Sequence, residues 1–470
     1  MTRIDEKVLK RIEAAVGPKG TTRDPSEIAP HLVEWRDKYK GETPLLVRPA
    51  STEEVAAVVK ICAETKTPIV PQGGNTGLVG GQIPFGEVLL SLSRLNKIRR
   101  IDAADNTITV EAGCILADVQ RAAAEVDRLY PLSLASEGSA EIGGLLSTNA
   151  GGINVLRYGT AGEHVLGLEV VLPDGRVLED LKRLRKDNTG YHLRQLFLGA
   201  EGTLGIITAA VLKLWPRPRA VSTAFVALAR LHAIVPLLSH MQSASGGLVT
   251  AFELVPRIGL DFVIRHAHGA RDPLTTKHEW YALIEMSSGS SSPLDPTMEE
   301  ALADAAEAGL VSDAVIAQSE TQRAELWVLR DQLSEVQKHE GGSIKHDVAV
   351  PISTIADFIA EAIAACERAV PGIRPVPFGH VGDGNVHFNL SQPVGADKAA
   401  YLARWQELND IVHGIAHKFG GSISAEHGLG LMKRAEILRY KSPLEIELMR
   451  SIKRALDPAG IMNPGKVLLP

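Results

Sequence analysis

Hydrophobic and polar positions change rhythm three times along the chain. In residues 1–40, Val8, Ile12 and Val16 recur at i, i+4 spacing among charges, which predicts a helical lead-in. From Pro44 onward, short apolar runs alternate with amphipathic stretches. Ser51-Thr52-Glu53-Glu54 has the form of a capping box, and the helix it predicts carries Val55, Val58, Val59 and Cys62 on one face. Ile98-Arg99-Arg100-Ile101 and Thr107-Ile108-Thr109-Val110 flank Asp102–Asn106 as a hairpin. The Pro-bearing LKLWPRPRA (212–220) reads as a boundary. Beyond it, Ala-rich helical segments at 297–309, 321–338, 354–369 and 396–419 separate strand-like runs TAFELV, EWYALIEM and SIKHDVAVP. That mixture predicts an α+β fold. The expected organisation is a lead-in (1–40), a first domain (41–218) and a second domain (219–470).

Composition narrows the function classes. A chain of 470 residues, 45% hydrophobic and 23% charged, describes an ordinary globular protein of more than one domain. A net charge of −6 supplies no basic field for nucleic acid or anionic membrane. Cys62, Cys114 and Cys366 are odd in number and widely spaced, which argues against a disulfide framework. The N-terminus lacks the apolar core of a signal peptide, and no run is long enough for a membrane span. The expected location is the cytoplasm.

Glycine is concentrated in three places. PQGGNTGLVGG places Gly73, Gly74, Gly77, Gly80 and Gly81 after a short apolar strand. GSAEIGGLLSTNAGG (138–152) and LGAEGTLGIIT (198–208) follow. One such cluster reads as a tight loop; three favour a large ligand lying against backbone, such as a diphosphate. No G-x-G-x-x-G follows a strand, so a Rossmann nicotinamide site is not supported. The segment 460–466 imitates a P-loop, but Val467 replaces the metal-binding hydroxyl and Pro464 removes an N–H.

The second domain carries the candidate chemistry. FGHVGDGNVHFN reads as two strands joined by a Gly-Asp-Gly-Asn turn, which brings His380 and His387 to one end. Alternation puts His387 and Asn389 on one face and Phe388 on the other. Glu426-His427 follows a Gly420-Gly421 break and a short expected strand. Two imidazoles and a carboxylate suit a divalent cation, while two hairpin histidines and a surface Glu-His pair is the plainer reading. Arg330 and Ser334 share a helical face, and Lys345 adds a point charge; together they suit a carboxylate, or an ordinary solvated surface. His413 and His417 have i, i+4 spacing, but Gly414 stands where a zincin needs Glu, so they read as helix histidines.

In this order, PQGGNTGLVGG, STNAGG, RYGT, LEVVLPDG, DNTGY and GAEGTLGIIT resemble the FAD-binding domain of vanillyl-alcohol oxidase-type flavoproteins. FGHVGDGNVHFN, SAEHGLG and DPAGIMNPGK resemble its D-2-hydroxyacid dehydrogenase branch, and the likeness runs over roughly residues 40–470. It implies a two-subdomain FAD-binding domain, an α+β cap, and a C-terminal segment returning to the flavin. Implied cofactor contacts are Pro71, Gly73, Gly74, Asn75, Thr76 and Gly77, then Gly138, Gly143, Gly144, Thr148, Gly151, Gly152 and Gly159. Glu201, Gly202, Ile206 and Asn463 complete them, with Lys466 nearby. Asn75 stands in the region where covalent-flavin members carry His, so non-covalent FAD is implied. Leu145 departs from the usual Asn after Gly-Gly.

The resemblance further implies a zinc or manganese ion on His380, His387 and Glu426, with His427 as base and Asn389 orienting substrate. Arg330, Ser334 (commonly Thr) and Lys345 match positions that hold the distal carboxylate in the D-2-hydroxyglutarate dehydrogenases of this branch. The expected activity is oxidation of D-2-hydroxyglutarate, with D-malate as second substrate. The expected electron acceptor is electron-transfer flavoprotein or a quinone, and the chain is compatible with a homodimer. Alternatives are a D-lactate or glycolate dehydrogenase, a non-catalytic flavin-binding subunit, and a non-haem iron oxygenase using the two-His-one-carboxylate set.

Overall fold

The computed structural model describes residues 4–469; the first three residues of the lead-in lie outside them. The lead-in is mixed rather than wholly helical. Helix Glu6–Val16 is capped by Asp5, whose side chain accepts from Lys7 N at 2.9 Å. Gly17, at φ 77°, ends it, and Thr21–Thr22 then pairs with Leu46–Val47. In helix Thr52–Thr65, Ser51 Oγ accepts from Glu54 N at 3.3 Å. Glu54 takes the N–H of Ala50 rather than that of Ser51, so half of the expected box forms.

The chain forms two compact units. Of the described residues, the first comprises 4–150, 160–217 and 426–469. Its smaller sheet orders Thr21–Thr22, Leu46–Val47, Val88–Ser91 and Ile69–Gln72, the last three parallel. Val55, Val58, Val59 and Cys62 of the capped helix pack against Ile69, Val88 and Leu90. The C-terminal return enters this core: Met462 bridges Ile69, and Ile69 N donates to Ile461 O at 2.9 Å. The larger sheet runs Ile98–Asp102, Thr107–Glu111, Ile206–Lys213, Val165–Val171, Val177–Asp180, antiparallel throughout. The hairpin around Asp102–Asn106 is its edge pair.

The second unit comprises 151–159 and Pro218–Ala425. Its antiparallel sheet orders Val311–Ile316, Ala220–Leu228, Trp280–Ser288, Val249–Pro256, Arg374–His380, Asn385–Ser391 and Ser343–Ile344. Both faces are covered, and the strands show it. Ala224 and Val226 join one core with helices Ile234–Ala244, Asp295–Glu307, Ile355–Ala369 and Trp405–Lys418. Phe225 and Ala227 join the other, beneath Arg257–His266 and Glu320–Asp331. Period-2 alternation of apolar residues on both faces is what a doubly covered sheet requires. Among the described residues no helix is long and apolar enough to cross a membrane.

Several expected elements divide. The helix over 321–338 becomes Glu320–Asp331 and Leu333–Val336, with Gln332 between them still near helical dihedrals (φ −75°, ψ −13°). The helix over 396–419 splits into Lys398–Leu402 and Trp405–Lys418, where Arg404 turns its guanidinium onto Ala369 O and Glu407. SIKHDVAVP is two short strands, Ser343–Ile344 and Val348–Ala349, because His346 and Asp347 serve different partners: Phe388 O and the Asn385 side chain. After Gly420-Gly421 there is no strand, only a bridge from Ser422 to Ala349.

The turn joining the two histidine strands depends on Gly384. It sits at φ 85°, and a Cβ there would lie 2.2 Å from Val350 O. Left-handed backbone costs a residue with a side chain about 1–2 kcal/mol, and the clash with a carbonyl adds to it. Gly384→Ala is therefore expected to destabilise the second unit by at least about 1 kcal/mol, read as a lowered urea midpoint. An unchanged midpoint would show that the turn can relax.

Candidate active site

The hairpin Arg374–His380/Asn385–Ser391 sets the geometry. Phe378 pairs with His387 across the strands, and the imidazoles of His380 and His387 meet edge-to-face with centroids 5.4 Å apart. Asn385, His387 and Asn389 alternate with Val386, Phe388 and Leu390, which point into the opposite core. Gly379, at φ 142°, lets the strand pass Asn385 O, which a Cβ would approach to 2.8 Å.

The neighbouring strand contributes a residue that sequence reasoning passed over. Glu253 lies directly across from His380 in the ladder and its side chain is fully buried. One carboxylate oxygen accepts from His380 Nδ1 at 2.7 Å, the other from Arg330 Nε at 2.6 Å. Arg330 Nη2 reaches His380 Nε2 at 3.3 Å, and the guanidinium lies 5.4 Å over the Phe378 ring. Burial acts to raise the Glu253 carboxyl; the electropositive N–H groups of His380 and Arg330 outweigh it and hold it down at about 2. The signal was a lone carboxylate in TAFELV, among residues otherwise bound for a core.

Asp347 is a second missed carboxylate. It is buried, accepts from Asn385 Nδ2 at 3.0 Å and lies 3.8 Å from His387 Nδ1. Ala425 N donates to Asp347 O at 3.2 Å, so the chain runs past this residue just before Glu426. His380 and His387 are the candidate ligands within the second unit, and Glu426 is the residue that follows its last one, Ala425. Two imidazoles with a carboxylate fit a borderline divalent cation such as zinc, and the carboxylate also suits the harder manganese.

The three residues expected to receive a carboxylate fall into two pairs. Arg330 stands with Glu253, as above. Lys345 Nζ donates to Ser334 O at 2.7 Å and to Ser334 Oγ at 2.9 Å. Among the described residues, the buried Asn389 carboxamide and Arg330 Nη1 are not spent on protein, and neither is the buried Asn385 Oδ1. His413 is buried in its helix with its ring edge-on to His346, 5.4 Å between centroids, while His417 is exposed.

In the first unit the glycine clusters touch. A Cβ on Gly74 would lie 1.9 Å from Ser139 O, one on Gly143 2.7 Å from the Ala112 Cβ, and one on Gly202 2.5 Å from the Pro71 ring. Gly138 and Gly144, by contrast, face open space. Asn75 spends its side chain on the protein: Nδ2 donates to Pro30 O and Val33 O, both at 3.1 Å, and Oδ1 accepts from Gln82. Its backbone alone is left for a ligand. Thr148 Oγ1 likewise donates to Gly144 O at 3.1 Å, and Ile206 is buried in the core beside Met462. Glu201 accepts from Leu429 N at 2.7 Å and Gly430 N at 2.8 Å. Asn463 Nδ2 ties Gly81 O at 3.0 Å to Glu201 O at 2.7 Å, and its Oδ1 is buried without a partner. Lys466 is buried beside Glu87 and the Phe85 ring. Gly151, Gly152 and Gly159 belong to the second unit's 151–159 segment, where Arg157 donates to Ser287 O.

Glu141 adjoins Gly73, and its Oε2 is also buried without a partner. Burial pushes this carboxyl up to about 8, so it is protonated at neutral pH. Open space beside Gly138 and Gly144, with unsatisfied polar atoms on Glu141 and Asn463, fits a large polar cofactor laid against backbone.

Family models match most of the chain: "FAD binding domain" over residues 43–180 and "FAD linked oxidases, C-terminal domain" over 217–467. The mitochondrial D-2-hydroxyglutarate dehydrogenase of Arabidopsis thaliana is 38% identical over 466 residues, covering 99% of this chain and 82% of that one. The D-2-hydroxyglutarate dehydrogenase of Xanthomonas citri pv. viticola is 38% identical, covering 98% and 97%. Among solved structures, p-cresol methylhydroxylase with substrate bound aligns at a TM-score of 0.77 and 18% identity, over 98% of this chain and 96% of that one.

The Glu141 carboxyl gives stability a pH dependence of known sign. Its ordinary value is 4.5 and its folded value about 8, so between them only the folded state keeps the proton. Its contribution is complete below 4.5 and is lost as pH rises to about 8. The Tm advantage of Glu141→Gln over the parent should widen across that window and flatten above it. A constant difference would mean that Glu141 is ionised in the folded protein.

Proposed function

The chain belongs to the FAD-linked oxidase family, an FAD-dependent enzyme of the D-2-hydroxyacid dehydrogenase type, and from that premise we propose that it oxidises D-2-hydroxyglutarate to the 2-oxoacid. The observation that carries the dicarboxylate is Arg330: a buried guanidinium fixed through Nε that keeps Nη1 unspent. A distal carboxylate is the anion such a group receives, and Lys345 with Ser334 supplies further donors. D-malate, one methylene shorter, is the expected second substrate.

FAD, when bound, supplies a two-electron acceptor, and a divalent cation on His380, His387 and Glu426 supplies Lewis-acid stabilisation of the substrate's C2 oxygen. His427 takes the C2 hydroxyl proton at an imidazole nitrogen, and Asn389 orients the substrate through its carboxamide. The first unit's glycine loops hold the flavin non-covalently, since Asn75 offers no nucleophile. Electron-transfer flavoprotein or a quinone is the acceptor this reading expects. A D-lactate oxidiser would have no use for the Arg330 arrangement, which is why we place that reading second.

Anaerobic reduction of the bound flavin, followed at its visible absorbance against D- and L-hydroxyacids, tests the reading. D-2-hydroxyglutarate should bleach the flavin fast, D-malate more slowly, and the L-isomers not at all. Chelation should abolish bleaching and zinc or manganese restore it. His427→Ala should slow reduction by about 100-fold or more, and wild-type rates in that variant would remove the base. Faster bleaching by D-lactate than by D-2-hydroxyglutarate would instead favour the second reading.

A further inference from the structure

We propose that Glu253 is a positioning residue that fixes the tautomer of His380 for metal binding while holding Arg330 in place, so that one carboxylate links the metal ligand to the substrate-binding cation. The inference rests on the function proposed above and deepens it. Register puts Glu253 directly opposite His380, so the link is built into the sheet rather than into a mobile loop.

Donor and acceptor chemistry decides the proton. Arg330 has only donors, and its Nη2 faces His380 Nε2 at 3.3 Å. The Glu253 carboxylate has only acceptors, and it faces Nδ1 at 2.7 Å. The arrangement selects an imidazole with its proton on Nδ1 and its lone pair on Nε2. A metal-binding histidine needs a lone pair on one nitrogen and a held proton on the other. The guanidinium contact at Nε2 occupies the place a cation would take. Metal binding therefore displaces an Arg330 N–H from His380, while Nε stays anchored on Glu253.

Glutamine at 253 would keep the shape but could not accept from both partners. Its single oxygen would go to the permanently charged Arg330, and its NH2 would face His380 Nδ1. His380 would then shift its proton to Nε2 and lose the ligand lone pair. Removing Arg330 as well would let the amide oxygen turn to His380 and restore the original pattern.

Zinc affinity measured by competition with a chromogenic chelator tests this on the FAD-loaded protein, without reference to turnover. Glu253→Gln should bind zinc on the order of 10- to 100-fold more weakly. Arg330→Met, which clears the competing N–H from Nε2 and leaves Glu253 on Nδ1, should bind zinc at least as tightly as wild type, and the double variant E253Q/R330M should recover most of the lost affinity. Equal affinity in wild type and E253Q, or no recovery in the double variant, overturns the positioning role. If E253Q fails to fold because Arg330 is left unpaired, E253Q/R330M is compared with E253L/R330M, which has no acceptor. Tighter zinc in the glutamine version supports the role; equal binding overturns it. A wild-type protein that binds neither zinc nor manganese overturns the metal reading itself and this inference with it.

Discussion

Glu253 is a carboxylate with no exposed surface, and a charge in that position must be surrounded by donors or it forces the structure open. His380 and Arg330 provide the donors, one from the adjacent strand and one from the helix laid across the sheet. Removing either partner of such a buried pair costs about 3–5 kcal/mol, far more than a surface ion pair returns. The position of helix Glu320–Asp331 over the central strands is therefore bound to the position of the histidine hairpin. The residues with the most chemical potential in the second unit are held by the interaction that also joins its layers.

The first unit is organised by close backbone approach instead of by charge. Gly74 lets its loop pass Ser139, Gly202 lets its loop pass Pro71 and Gly143 lets its helix pass Ala112, and a methyl group at any of them would strike neighbouring atoms. Glu201 and Asn463 then pin those loops to the C-terminal return through backbone amides and carbonyls. Glu141 Oε2 and Asn463 Oδ1, buried without a partner among the described residues, belong to the loop region and the C-terminal return joined in this way.

What could be read from the residues was mostly local. The Gly-Asp-Gly-Asn turn, the alternation through Asn389 and the Ser51 cap all depend on neighbours in sequence, and the structure contains each of them. The breaks at Gln332 and Arg404 were hidden because the apolar pattern continues across them. SIKHDVAVP looked like one strand for the same reason, yet His346 and Asp347 are drawn to residues about forty positions away. Glu253 was legible only as an oddity. Its meaning lay in strand register and in a helix seventy-seven residues distant, which no local pattern encodes.

The bridge between Ile69 and Met462 ties the first unit to residues that follow the whole second unit in the chain. A nascent chain that has reached Ala425 already holds every residue of the second unit, whereas the first still lacks 426–470. The domain that begins first is thus completed second, against the usual N-to-C order of synthesis. Until then Val55, Ile69 and Val88 lack the cover of Ile461 and Met462, and a waiting chain carries this apolar edge uncovered.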